Sequence, residues 1–202
     1  MKLIIRAKID LDEPTVGGGF ITWLTFQIGQ DADEEGESLS GADPVGRGQV
    51  AIVHVGRILE AEEDLWGVLD ADSGEMEALH SVYFEESWFK DELAGGFGDD
   101  LLYVSELEIE PAWQGRNIEL AVVRRLCDTL GQGCELAVVR YTSMEEAGSW
   151  ERIGFEVSTP GKPRGLMHMS LGHVNPRVVD LDGSGRFRVV ANLSHEAREK
   201  HH

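Results

Sequence analysis

Apolar and polar positions alternate over Lys2–Asp10, with Leu3, Ile5, Ala7 and Ile9 on one face and Lys2, Arg6, Lys8 and Asp10 on the other. That period predicts an opening strand. After a glycine run (Gly17, Gly18, Gly19), the β-branched and aromatic content of Phe20–Ile28 predicts a second strand, and Gln49–Val55 a third. The spacing then turns helical. Ile58, Leu59, Ala61, Leu65, Val68 and Leu69 share one face, opposite Glu60, Glu62, Glu63 and Asp64. Ser73 is a candidate N-cap for the next helix, with Glu75 and Glu77 in its first turn and Met76, Leu79, Val82 and Tyr83 inward. Trp88, Phe89 and Leu93 carry the apolar surface to a break at Gly95–Gly96.

Leu101–Gly131 is the passage around which the rest is organised. Val104–Glu110 alternates with period two, and Pro111 ends the run because proline cannot donate to a central ladder. From Gly115 the period becomes helical, with Ile118, Val122, Leu126 and Leu130 recurring every four residues. A strand running into a helix in this way turns free backbone N–H groups outward at the helix's first turn, a site suited to a phosphate. Leu136–Val139 then reads as a buried parallel strand. Ser143–Ile153 reads as a helix capped by Ser143, with Glu145 and Glu146 in its first turn and Gly154 at its C′ position. Phe155–Ser158 and Leu166–Leu171 form a hairpin about Thr159–Gly165. Val178–Leu181 and Phe187–Leu193 form another about Asp182–Gly185. The chain therefore divides into a domain over 1–172 and a C-terminal hairpin extension with a charged tail over 173–202. The extension is expected to pack on the domain or on a second copy, as a homodimer. The acidic, glycine-rich stretch Gly29–Gly48 predicts a solvated loop. The less favoured reading is an acidic lip that gathers a cationic substrate.

Composition narrows the partners. Of 202 residues, 37 are acidic and 18 basic, for a net charge of −19, which argues against nucleic acid or an anionic membrane and suits a cationic ligand. Cys127 and Cys134 are too few for a disulfide framework and fall at apolar positions, so buried free thiols are expected. The N-terminus has no signal-peptide pattern and no apolar run approaches a membrane span, so a cytoplasmic protein is expected. No metal set stands out. His54 and His80 read as structural, and Asp180 and Asp182 before Gly183 lack the rest of a calcium loop.

Two segments carry a family resemblance. Leu107–Glu119 (LEIEPAWQGRNIE) resembles the strand and acyl-CoA loop, Q/R-x-x-G-x-G/A, of the GNAT superfamily of N-acetyltransferases. Trp150–Phe155 (WERIGF) resembles that family's late Y-E-K-x-G-F segment. The match covers Leu101–Leu171, best over 100–172. It implies an α+β, GNAT-like acyl-CoA N-acyltransferase fold with a C-terminal β-hairpin extension. It further implies transfer of an acetyl group from acetyl-CoA to an amine of a small or peptidic, cationic substrate. The implied cofactor contacts are Leu107, Ile109, Gln114, Gly115, Arg116, Asn117, Ile118, Glu119 and Trp150. Glu106, Glu108 and Glu110 share one face of the strand before the loop, and Glu106, the furthest from the turn, would be the general base. The family's acid is a tyrosine where this chain has Trp150, whose indole cannot supply that proton, which leaves Tyr141 as substitute. Asn117 stands at the loop's first expected glycine and Glu119 at the second. Glu119 would complement the helix dipole, and its carboxylate is expected to fill the anion site itself. The alternative is therefore a catalytically degenerate GNAT-like binding protein with impaired acyl-CoA binding.

Overall fold

The computed structural model describes residues 2–7, 19–29, 44–96, 98–173 and 175–191. The acidic stretch 30–43, most of the first glycine run and the tail 192–202 lie outside the described residues.

Three antiparallel strands open the chain: β1 (Lys2–Ala7), β2 (Ile21–Gly29) and β3 (Gly46–Val53). Three helices follow: α1 (Val55–Glu60), α2 (Leu65–Asp72) and α3 (Gly74–Tyr83). The single apolar stripe over 58–69 is thus cut into two helices. Glu62 takes a left-handed φ of 57°, and Asp64 starts α2 afresh, its carboxylate accepting from the Gly67 amide at 2.9 Å. Ser73 caps α3 as its hydroxyl chemistry predicts. A two-residue ribbon, β4 (Phe84–Glu85) and β5 (Trp88–Phe89), leads to the long strand β6 (Asp100–Ile109). A 3-10 turn at Pro111–Trp113 joins it to α4 (Ile118–Leu130), then β7 (Cys134–Tyr141), α5 (Met144–Glu151), β8 (Glu156–Val157) and β9 (Gly165–Ser170). The last hairpin is β10 (Arg177–Asp180) with β11 (Phe187–Val190).

The main sheet has seven strands in the order β1-β2-β3-β6-β7-β9-β8, antiparallel except for the β6–β7 pair at its centre. This is a mixed α/β architecture, consistent with the α+β class. Alternate side chains of the central strands feed two cores. Leu102, Val104, Ala137 and Val139 pack toward α4, α5 and the β10–β11 hairpin. Leu101, Tyr103, Leu136 and Val138 pack toward α1–α3. Gly48 allows β3 to lie close to β6, since a β-carbon there would meet the Phe26 ring and the Glu106 carbonyl. Among the described residues no helix is long and apolar enough to cross a membrane.

Candidate functional site

The central pair does not stay paired. β6 and β7 run side by side up to Val104 opposite Val139. Beyond that point β6 continues to Ile109 against β3 alone, and β7 continues to Tyr141 against β9 alone. A β-bulge marks the parting: Gln49 opposes Glu106 and Val50 opposes Val104, so Ser105 is the extra residue. The bulge swaps the faces. Leu107 and Ile109 point to the same core as Leu102 and Val104, although they fall on the other parity.

Between the splayed ends lies a cleft of about 380 Å³, within the range of small-molecule sites. Its apolar wall comes from Val104, Leu107, Ile109 and Val139, and its polar positions include Ser105, Arg140, Thr142 and Ser149. Gln114, Gly115 and Glu119 close one end, where α4 begins, and Trp150 of α5 forms part of the wall. The first bond within α4 runs from the Ala121 amide to the Asn117 carbonyl, and no side chain caps the helix. The amides of Ile118, Glu119 and Leu120 therefore lack helical acceptors. With the dipole they make the start of α4, which meets the cleft at Gly115 and Glu119, its electropositive end.

Six of the nine expected cofactor contacts line this one cleft: Leu107, Ile109, Gln114, Gly115, Glu119 and Trp150. Three do not. Arg116 stacks on the Trp113 ring, 4.4 Å from its centroid. Ile118 is buried in the core below α4. Asn117 takes the left-handed backbone, φ 57°, and spends its side chain on two tertiary bonds: Nδ2 donates to the Phe187 carbonyl at 2.8 Å, and Oδ1 accepts from Arg152 at 3.0 Å. Gln114 donates to the Ile109 carbonyl at 3.0 Å and so ties the loop to the end of β6. Glu119 does not fill the anion site. Its carboxylate has no hydrogen-bond or ion-pair partner among the described residues, and it stands half-buried in the cleft wall. Glu146, the other acid there, is occupied: it accepts from the Thr142 amide and hydroxyl, each at 2.7 Å, while its own amide donates to the Ser143 N-cap hydroxyl at 3.2 Å.

The two expected catalytic groups stand outside the cleft. Glu106 is exposed on the opposite sheet face, with Thr25, Gln27 and Glu108 around the same shallow depression. Tyr141 is buried, and its hydroxyl donates to the Lys162 carbonyl at 3.0 Å. What meets the cleft instead, through Ser105 and Arg140 of its lining, is a network read from sequence only in fragments. Glu75, in the first turn of α3, accepts from the Ser105 hydroxyl at 2.7 Å and from the Tyr103 hydroxyl at 3.4 Å, and is ion-paired with Arg140. Burial first, and then the Glu75 carboxylate, push the Tyr103 phenol up to about 12, so it remains a donor. The Trp150 indole N–H is buried and has no hydrogen-bond partner among the described residues. Leaving such a donor unmade costs roughly 1–3 kcal/mol.

Other polar constellations are structural. Thr22, His54 and Asp100 form a chain (3.0 and 2.9 Å) that resembles a nucleophilic triad, but it lines neither the cleft nor the larger groove and ties β2, the end of β3 and β6 together at one end of the sheet. His80 bonds the Glu86 carbonyl. A larger groove of about 970 Å³ lies under the β10–β11 hairpin. Its Arg124 is paired with Asp128, and Asp180 is held by the Asp182 and Gly183 amides. No cluster able to hold a metal ion occurs among the described residues.

Compared with known proteins, the chain matches no family model and no curated protein sequence.

Proposed function

We propose that this chain is an N-acetyltransferase of GNAT type, moving an acetyl group from acetyl-CoA to a primary amine. The observation that carries the reading is the parting of β6 and β7 at Val104 and Val139, directly beside the uncapped first turn of α4. An acyl-pantetheine arm is a narrow extended chain with two amides, and it ends in phosphates. The unpaired inner edges of β6 and β7 can hydrogen-bond such amides as a strand would. Val104, Leu107, Ile109 and Val139 can cover its methylenes. The free amides at the start of α4 suit the phosphate end. Acetyl-CoA, when bound, supplies the acyl group as a thioester: the C–N bond forms, the C–S bond breaks, and the proton lost by the nitrogen ends on sulfur. The cleft lining contains no tyrosine, so the chain's part is to position, to exclude water and to hold the amine, rather than to act as a phenolic acid.

A second reading, a GNAT-like binding protein without transfer activity, is favoured by one feature. Glu119 places a negative charge where a polyanionic cofactor would lie. Calorimetry with acetyl-CoA separates the two. The acetyltransferase reading expects saturable binding by the wild type and release of the free CoA thiol on adding an amine. Absence of binding at millimolar cofactor leaves only the second reading. Replacing Glu119 by Ala should tighten acetyl-CoA binding roughly fivefold, about 1 kcal/mol of relieved repulsion. The same change should lower stability by up to about 1 kcal/mol, as the helix dipole loses its counter-charge.

A further inference from the structure

The Glu75–Arg140 pair joins three elements at the point where the strands part. Glu75 belongs to α3, Arg140 to the end of β7, and Ser105 is the bulge residue of β6. Ser105 and Arg140 both line the cleft. The Glu75 side chain is 38% exposed and that of Arg140 51%, so a solute can reach both. An ion pair this exposed contributes about 0–1 kcal/mol, so it opens at little cost. Glu75 does not depend on Arg140 for its position, because Ser105 and Tyr103 also donate to it and it lies in the first turn of α3.

We infer that the amine acceptor is a zwitterion, a small molecule with a primary ammonium next to a carboxylate, such as an amino acid, held with its ammonium on Glu75 and its carboxylate on Arg140. The inference rests on the acetyltransferase reading above. A bare amine that takes Glu75 strands the Arg140 charge beside its own. A zwitterion exchanges one ion pair for two and leaves no charge unmatched. The planar guanidinium suits a carboxylate through paired N–H donors. The bulge puts Ser105 and Arg140 at the point where the strands part, with Glu75 bonded to both, next to where an acyl group carried between β6 and β7 would finish.

The test uses the full chain and acetyl-CoA with the common amino acids, each beside the amine left on its decarboxylation, reading release of the CoA thiol. At least one amino acid should be acetylated with kcat/KM about tenfold or more above that of its decarboxylated amine, which leaves the Arg140 guanidinium unmatched. Arg140→Gln should raise KM for that amino acid by about tenfold or more yet lower the amine's KM, because no cation is then stranded beside it, and Arg140→Lys should recover part of the loss for the amino acid. Glu75→Gln keeps acceptors for Ser105 and Tyr103, and should lower kcat/KM for both substrates while calorimetric acetyl-CoA affinity stays within about twofold of wild type. Acetyl-CoA binding accompanied by a preference for the decarboxylated amine, by equal effects of Arg140→Gln on both, or by no amino-acid turnover overturns the zwitterion and leaves the acetyltransferase reading standing. Absence of acetyl-CoA binding by the wild type overturns both.

Discussion

Asn117 holds φ 57° and ψ 28° at the start of α4, a backbone that disfavours a β-carbon by about 1–2 kcal/mol. Asparagine is among the few residues that visit it readily, and here its amide also bonds Phe187 and Arg152. Ala at this position keeps the strain and loses both bonds, each worth about 1 kcal/mol, so it should cost about 2–3 kcal/mol in urea denaturation. Gly relieves the backbone and should cost about 1 kcal/mol less than Ala. A Gly variant as stable as wild type would show that the two bonds contribute no more than the backbone relief of about 1 kcal/mol. The thiols make a second residue-scale case. Cys127 and Cys134 are buried, and burial pushes both up to about 12. Native protein should therefore resist alkylation at neutral pH, while unfolded chain reacts. An unfolded thiol ionises near about 8.5. Below that value both states hold the proton and stability is flat. From about pH 9 toward 12 the unfolded state sheds protons first, so stability falls as pH rises. A double Cys→Ala variant should lose that part of the alkaline slope in equilibrium denaturation.

At the level of elements, two connections are held by specific hydrogen bonds, one at each end of the β6–β7 pair. The β10–β11 hairpin grips the loop before α4, since the Phe187 amide donates to the Arg116 carbonyl while its own carbonyl takes the Asn117 amide. The other connection enters β6. Glu135, only 3% exposed at the start of β7, accepts from the amides of Gly95, Gly96 and Gly98 at 2.7, 2.5 and 3.3 Å. A carboxylate is the one side chain that can take three N–H donors without presenting a donor of its own. Glu135→Gln turns an NH2 toward those amides and should cost about 2–3 kcal/mol, with faster hydrogen exchange confined at first to the glycine segment. Uniform loss of protection across the sheet would argue instead that Glu135 supports the global fold. The same logic explains why the stripe over 58–69 is two helices: a side-chain cap at Asp64 competes with continuing α1, and a run of acids cannot bridge it.

For the whole molecule, a net charge of −19 meets a proposed cofactor that is itself polyanionic. Long-range repulsion then slows encounter, and salt screens it over about 8–10 Å. Acetyl-CoA should associate faster at about 0.15 M salt than at about 0.01 M in stopped-flow binding, the reverse of a basic protein recruiting an anion. A rate that falls with salt would mean that the cleft's local amide field outweighs the global charge.

Period and end signals along the chain determined most elements. The caps at Ser73 and Ser143, the Pro111 stop, the amphipathic α4 and both late hairpins all stand where local chemistry puts them. These depend on neighbours within a few residues, which sequence displays directly. The face of Glu106 was decided by tertiary structure, because one extra residue at Ser105 reverses the parity of β6 and turns that acid away from the cleft. The change of apolar phase, from Leu102 and Val104 to Leu107 and Ile109, is its trace in the sequence. The meeting of Glu75 with Arg140, 65 positions apart, leaves no such trace. It exists because α3 and the end of β7 are brought to the same gap by a sheet whose strand order is not the order of the chain.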